Sequence, residues 1–439
     1  MEIIPHSGFS FLSIIKALPG LFFLLGIAYL LSNDKKNIPW KTVIIAILTQ
    51  LLIGICILKV PVIKLIFENI GQIFLAVIDS TINGTSFLFG SLININSEYI
   101  FALNVLPVII FFSALSSMLY YYGVIQKVVG FFGWCLRNIV KISGAESLSL
   151  TGNIFLGQTE APLLIKGYLE KMNYSEIYTV MIGGMATVAG SVLAGYVSFL
   201  GGDDPIERLN VTTNLIAASV MAAPGAVAIA KIIVPNPNKT LNKDISIEKD
   251  KKIGNVLDAI TEVTIQGMKL AFNVGAMLLV FIALLGLLNK ILFFLGDITQ
   301  LNLIIENNTT YSDLSLEFLL GYLFAPIMWI IGIAKEDITL MGQLLGIKIA
   351  ANEFLSYLYL SDLKNVSEAV HLTYQKSILM ATFMLCGFAN FQSIGIQIGG
   401  IGYLAPNQKK LISSYGLKAV IGGTLVSLIS ATFAGIILG

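Results

Sequence analysis

The chain has 439 residues, of which 56% are hydrophobic and only 12% charged, with a net charge of +1 and a mean hydropathy of +0.84. A soluble globular protein carries roughly 25% charged residues, so this composition cannot cover a water-facing surface, and a soluble enzyme or a nucleic-acid binder is excluded. The unbroken apolar runs predict an all-α polytopic membrane protein and not a β-barrel, whose strands alternate over ~10 residues.

In chain order, apolar runs of spanning length fall at 11–31, 40–58, 99–120, 176–200, 211–233, 270–296, 374–404 and 416–438. The segments 60–96, 143–172, 314–334 and 338–362 are apolar but ambiguous. No basic region followed by a cleavage site opens the chain, so no cleaved signal peptide is expected. Basic clusters occur at Lys35-Lys36, at Lys127, Arg137 and Lys141, at Lys166 and Lys171, at Lys409-Lys410, and most densely from Lys231 to Lys252. Placing them inside, eight spans alternate with both termini outside on three conditions. Segment 143–172 must enter and leave from the inside, 338–362 must enter and leave from the outside, and 314–334 must not cross. Two re-entrant hairpins of opposite orientation follow, with 60–83 and 121–140 lying in the interface. The expected architecture is therefore about eight transmembrane helices plus two re-entrant hairpins in an inverted repeat, the plan of a secondary transporter.

Four parts are expected: 1–140, N-terminal spans and interfacial helices, mainly scaffold; 141–234, the first hairpin and transport-domain spans; 235–336, a cytoplasmic linker, a scaffold span and an outer surface helix; and 337–439, the second hairpin and further transport-domain spans. The charged stretch 235–252 reads as a cytoplasmic loop. Cys56, Cys135 and Cys386 have no paired metal spacing and read as small core residues. His6 and His371 have no neighbouring acid or thiol pair, so zinc is not expected. Asp203-Asp204 reads as a solvated turn.

Polar groups in lipid-buried segments are expensive, so each cluster of them is a candidate site. In Asn153-Ile-Phe-Leu-Gly-Gln-Thr-Glu-Ala-Pro162, Gly157 and Pro162 break the helix and present Gln158, Thr159 and Glu160 at a hairpin tip; the bland alternative is a loop outside the membrane. Ala350-Ala-Asn-Glu353-Phe-Leu-Ser356 sits in the other hairpin, where Glu353 either serves a ligand, pairs with Lys348 or caps a helix. Two carboxylates near one midplane suit a neutral polyol or a cation and disfavour an anion. Gly183-Gly-Met-Ala-Thr187-Val-Ala-Gly190-Ser191 suits either close helix packing or a break whose carbonyls and Thr187 hydroxyl bind a small hard cation such as Na⁺. From Cys386 to Gly402 the glycine density predicts an unwound span, with Phe388 as a stacking face and Asn390 and Ser393 as donors and acceptors.

At these residues the chain resembles the concentrative nucleoside transporter family. Gly157-Gln-Thr-Glu-Ala-Pro162, Asn352-Glu-Phe354, Gly387-Phe-Ala-Asn-Phe391 and the Ser393 to Gly402 stretch are similar to its signature segments, in the same order. The resemblance implies a homotrimer in a bacterial-type inner membrane, with a moving transport domain and cation-coupled nucleoside uptake. It further implies that Gln158 and Thr159 contact the base with Glu160 nearby, that Phe388 packs on the base and that Val192 lines that side. Glu353, Asn390 and Ser393 would hold the ribose. Asn153, Thr187 and the carbonyls near Leu156 and Val188 would hold Na⁺. Thr187 stands where the family commonly has serine, and the family includes proton-coupled members, so H⁺ is the alternative coupling ion. A polar-solute channel and a membrane-embedded enzyme are the competing classes. The first lacks a continuous polar helix face, and the second lacks a nucleophile–His–acid set within the spans.

Overall fold

The computed structural model describes residues 3–5, 11–93, 100–202, 204–236 and 255–438; His6, Asp203 and the 235–252 linker beyond its first two residues lie outside them. Among the described residues the regular structure is helical, apart from one isolated bridge between Ile4 and Tyr374. The first helices are α1 (Phe11–Leu30), α2 (Trp40–Lys59), α3 (Pro61–Phe89), α4 (Phe101–Asn104), α5 (Leu106–Tyr121) and α6 (Val124–Val140). Pro61 separates α2 from α3, since its missing N–H suits the first turn of a new helix. Gly123 (φ 76°) and Lys141 (φ 62°) bracket α6 in left-handed conformations.

The first hairpin follows as α7 (Gly144–Gly152), a turn, a 3₁₀ segment Ala161–Ile165 begun by the Pro162 turn, and α8 (Lys166–Leu169). Ser143 and Glu146 form a capping box that starts α7. Next come α9 (Tyr174–Ala186), α10 (Gly190–Leu200) and α11 (Pro205–Ile233). The second half has α12 (Val256–Ile298), α13 (Leu301–Asn308) and α14 (Leu316–Ile330), then a hairpin of α15 (Ile338–Ala350) and α16 (Glu353–Leu363). It closes with α17 (Gln375–Leu385), α18 (Phe391–Leu404) and α19 (Lys409–Leu438). A spanning helix needs ~20 residues. The 9 residues of α7, 13 of α15 and 11 of α16 are too few to span singly.

Eight helical stretches are long and apolar enough to cross a membrane, among the described residues. Two differences from the sequence reading stand out. The 374–404 run is not one of the eight, because it is split at Cys386–Asn390 into α17 and α18. The 29-residue α3 qualifies by length and apolarity, although the charges in 60–83 suggest an interfacial helix. Those charges are paired: Lys64 with Glu68 at 3.6 Å and Asp79 with Arg208 at 2.7 Å. Gly71 faces Leu209 and Thr212 while Asp79, two turns on, still meets Arg208. Both contacts fall in the first turns of α11, so α3 crosses that end of it.

Burial divides the long helices into two sets. The α9–α10, α11 and α19 stretches are 94%, 83% and 89% buried, against 6% for α12 and 11% for α3. A helix apolar all round and buried belongs to a core; one apolar and bare needs lipid or a partner. The inner set holds the helix breaks and packs against both hairpins. Hairpin one is tied to it by the buried Lys231–Glu146 ion pair, with Lys231 also donating to Ser175 at 3.2 Å. Hairpin two meets the outer set where Tyr359 (2.7 Å) and Asn289 (2.8 Å) donate to the Glu317 carboxylate of α14.

The connections sort to two ends. Ile4 pairs with the extended segment before α17, its N–H donating to the Thr373 carbonyl at 2.8 Å. At the opposite end, Asn33 of the α1–α2 loop donates to Ile233 at the close of α11 (2.9 Å) and to Tyr415 near the start of α19 (3.1 Å). The loop bearing Lys35 and Lys36 thus shares an end with Lys409 and Lys410.

Candidate functional site

Two asparagines place the polar residues of the second half. Asn352 caps α16 by accepting from the Leu355 N–H at 2.9 Å, which sets Glu353 in the first turn. Asn390 caps α18 by accepting from the Ser393 N–H at 2.9 Å. A helix N-terminus favours negative charge, and each cap satisfies one of its free N–H groups. The Asn390 amide then donates to one Glu353 oxygen at 2.8 Å, and the Tyr196 hydroxyl of α10 donates to the other at 3.0 Å. Glu353 is 3% exposed, so its two oxygens meet oriented donors in place of water.

The network extends to the first hairpin. Gln158 donates to the Ser393 hydroxyl at 3.1 Å and accepts from Gln397 at 3.1 Å, and Gln397 also donates to the Met181 carbonyl at 2.9 Å. Close approach makes this possible: a Cβ on Gly184 would lie 2.9 Å from the Gln158 Cβ and 3.0 Å from the Gln397 amide nitrogen. The breaks in α9–α10 and α17–α18 meet back to back at Gly387. Its φ is 133°, and an added Cβ would sit 2.8 Å from the Met185 carbonyl oxygen.

Of the expected substrate residues, the structure joins Gln158, Ser393, Asn390 and Glu353 in one chain of hydrogen bonds. Phe388 is partly buried against the core between Gly387 and Asn390. Val192 is buried in the first turn of α10. Thr159 and Glu160 are exposed at the tip. Thr159 packs on Gly400 and Glu160 accepts only weakly from the Gly157 N–H, at 3.4 Å, so neither joins the network.

The expected cation residues lie where the tip of hairpin one meets the α9 break. Asn153 donates to Ser149 at 3.0 Å, and its oxygen, though buried, finds no hydrogen-bond partner. Thr187, where α9 ends, donates to the Gly183 carbonyl at 2.8 Å, and Asn153 approaches the same glycine. Gly157 and Ala189 bring Leu156 and Val188 alongside. An orphaned buried oxygen, a hydroxyl with spare lone pairs and the carbonyls of an interrupted helix form an all-oxygen set, which fits a small hard cation. Among the described residues no group of three His, Cys, Asp or Glu could hold a metal.

Two site residues escaped the sequence reading. Gln397 follows Ser393 by four residues, one helical turn on the same face, and that spacing could have revealed it. Tyr196 looked like an ordinary aromatic in an apolar span, and only the packing of α10 against hairpin two shows its role. The pairing of Lys348 with Glu353, weighed as an alternative, does not form: Lys348 donates to the Met384 carbonyl at 2.8 Å and to Ser427 at 3.1 Å.

Broken helices, paired hairpins and a buried polar network at their junction define a secondary transporter. Comparison with known proteins supplies the family. A family model described as the Na⁺ dependent nucleoside transporter C-terminus matches residues 214–435, its N-terminal counterpart matches 19–92, and a nucleoside-recognition gate model matches 102–203. The nucleoside permease NupC of Helicobacter pylori is 39% identical over 96% of this chain and 97% of its own. The human sodium/nucleoside cotransporter 1 is 34% identical over 95% of this chain and 63% of its own. The solved structure of CNTnw in an inward-facing substrate-bound state superposes with a TM-score of 0.88, at 38% identity, over 97% of this chain and 99% of that one. A CNTnw variant in an outward-facing state gives 0.89 at 37% identity, over 98% and 99%. The chain belongs to the Na⁺ dependent nucleoside transporter family, whose members are transporters and not enzymes.

Proposed function

We propose that the protein takes up nucleosides across the inner membrane of a bacterial-type cell by Na⁺ symport. The observation that carries this reading is the buried chain from Glu353 through Asn390 and Ser393 to Gln158, which links both hairpins at a helix break. A ribose presents vicinal hydroxyls, and both oxygens of a dry carboxylate can accept from them. A base has a flat face for Phe388 and a polar edge for Gln158 and Thr159, with Glu160 close by and Val192 closing that side. Asn153, Thr187 and the carbonyls of Leu156 and Val188 would hold Na⁺, whose charge would fix the tip that carries Gln158.

The inner helices with both hairpins, 141–234 and 337–439, form the moving transport domain in this reading. The stretches 1–140 and 235–336 form the scaffold. Their contrast in burial supports the division, and the bare α12 and α3 suit a trimer interface and lipid. Movement of the inner set past the scaffold, as in an elevator, would expose the site to each side in turn. The basic loops lie inside and both termini outside. Radiolabelled uridine and adenosine uptake in proteoliposomes, under imposed Na⁺ or H⁺ gradients, tests the reading. Accumulation driven by Na⁺ is expected; uptake of neither nucleoside under either gradient would reject it. Uptake that follows the pH gradient and ignores replacement of Na⁺ by choline would make H⁺ the coupling ion.

A further inference from the structure

Lys348 is wholly buried, and the site reading gives it no role. It lies in the last turn of α15, the first arm of hairpin two. Its ammonium donates to the carbonyl of Met384, in the last turn of α17, and to the Ser427 hydroxyl of α19. Helix α17 stops at Cys386, whose extended backbone (φ −65°, ψ 106°) leaves the final carbonyls without intrahelical partners. The Tyr357 hydroxyl takes another of them, Thr382, at 2.8 Å. The end of a helix carries about half a negative charge, and the ammonium lies directly against it at the Met384 carbonyl.

The two halves repeat one plan of hairpin, broken helix and long closing helix. In the first half, Asn153 at the end of α7 and Thr187 at the end of α9 present oxygens, one of them without a partner. In the second half the corresponding place, where α15 ends beside the end of α17, is filled by an ammonium from the chain itself.

We propose that Lys348 is a tethered cation that serves the α17–α18 break as a mobile Na⁺ serves the α9–α10 break. The chain would then need one mobile cation for two like sites. The ammonium holds the end of α17 in place, so that Asn390 and Glu353 stay aligned. It also keeps a positive charge at that break through every stroke without leaving the protein. Lys348 is a positioning residue, and the proposal rests on the reading that Na⁺ binds at the α9–α10 break.

The test compares Lys348→Met, which keeps length and removes charge, with Lys348→Arg, which keeps charge and alters shape. Na⁺-dependent thermal stabilisation is measured on purified full-length protein without nucleoside, and Na⁺-dependent uridine uptake is measured in proteoliposomes. The parent and the Arg variant should show a Hill coefficient near one. The Met variant should rise towards about two, because the coefficient is bounded by the number of mobile sites. Its uridine affinity at low Na⁺ should fall roughly tenfold or more and recover at high Na⁺. A Met variant that matches the parent overturns the proposal. So do Met and Arg variants that are equally defective, including failure of both to fold, because packing does not discriminate by charge. If uridine failed to bind the parent while the Na⁺ curves still separated by charge, the nucleoside reading would fall and the tethered cation would stand.

Discussion

Glu353 concentrates the most consequence in one residue, because both of its oxygens already meet donors from other helices. Glu353→Gln keeps the size and removes the charge. A hydrogen bond to a charged group is worth ~1.5–3 kcal/mol net, so uridine affinity should fall roughly 10- to 150-fold in equilibrium binding. Tyr196→Phe should lower affinity less, since it removes only a neighbour that orients the carboxylate; an equal loss would place Tyr196 on the nucleoside itself. Phe388→Ala should cost on the order of 1–3 kcal/mol, by analogy with base–aromatic stacking, and Phe388→Tyr less. Equal losses from these two would assign Phe388 to helix packing.

At the scale of elements, the site depends on how closely the two broken helices approach. Gly387 combines a left-handed φ with a carbonyl 2.8 Å from where a Cβ would stand. Gly387→Ala should therefore destabilise the protein by about 1–3 kcal/mol, read as a lowered Tm in detergent. Gly395, on α18 with open space around it, provides the control: Gly395→Ala should be neutral or stabilising by about 0.5–1 kcal/mol, the helix-interior difference. A matching loss at both positions would mean that the apposition of the breaks is unimportant. At the first break, Thr187→Val deletes an oxygen at nearly constant shape. The Na⁺ concentration for half-maximal uptake should rise while nucleoside affinity at saturating Na⁺ stays unchanged.

For the whole molecule, sidedness and coupling are open to direct measurement. In a Cys-free background, Asn307→Cys on α13 should react with an impermeant reagent applied outside, and Leu241→Cys in the linker should not. The reverse pattern would invert every hairpin. Linkage adds a thermodynamic check: Na⁺ should tighten uridine binding by the same factor by which uridine tightens Na⁺. A factor of one would mean that Na⁺ and uridine bind without coupling and would overturn symport through this site.

Membrane residence and the polar clusters of the apolar runs were legible in the amino-acid order, whereas 183–191 was open between close packing and a break, and the unwound span expected from Cys386 to Gly402 is broken only at 386–390, with α18 helical from Phe391. Hydropathy, glycine, proline and intramembrane polar groups are local signals that lipid makes expensive to ignore. The candidate residues Gln158, Glu353, Asn390 and Ser393 were legible for the same reason, with the family resemblance supplying their roles. Tyr196 and Lys348 were not. A tyrosine in an apolar span has no local mark of a partner 157 residues away, and a lysine five residues from a glutamate invites a pairing that the fold does not make. Which helices are buried was hidden as well: α12 is among the most apolar stretches and is only 6% buried, whereas α11 is less apolar and 83% buried. In lipid, apolarity does not distinguish an inside from an outside. The amino-acid order therefore determined that the chain resides in a membrane and which polar clusters it buries there, while tertiary packing decided where the helices break, which faces meet and which polar groups share hydrogen bonds.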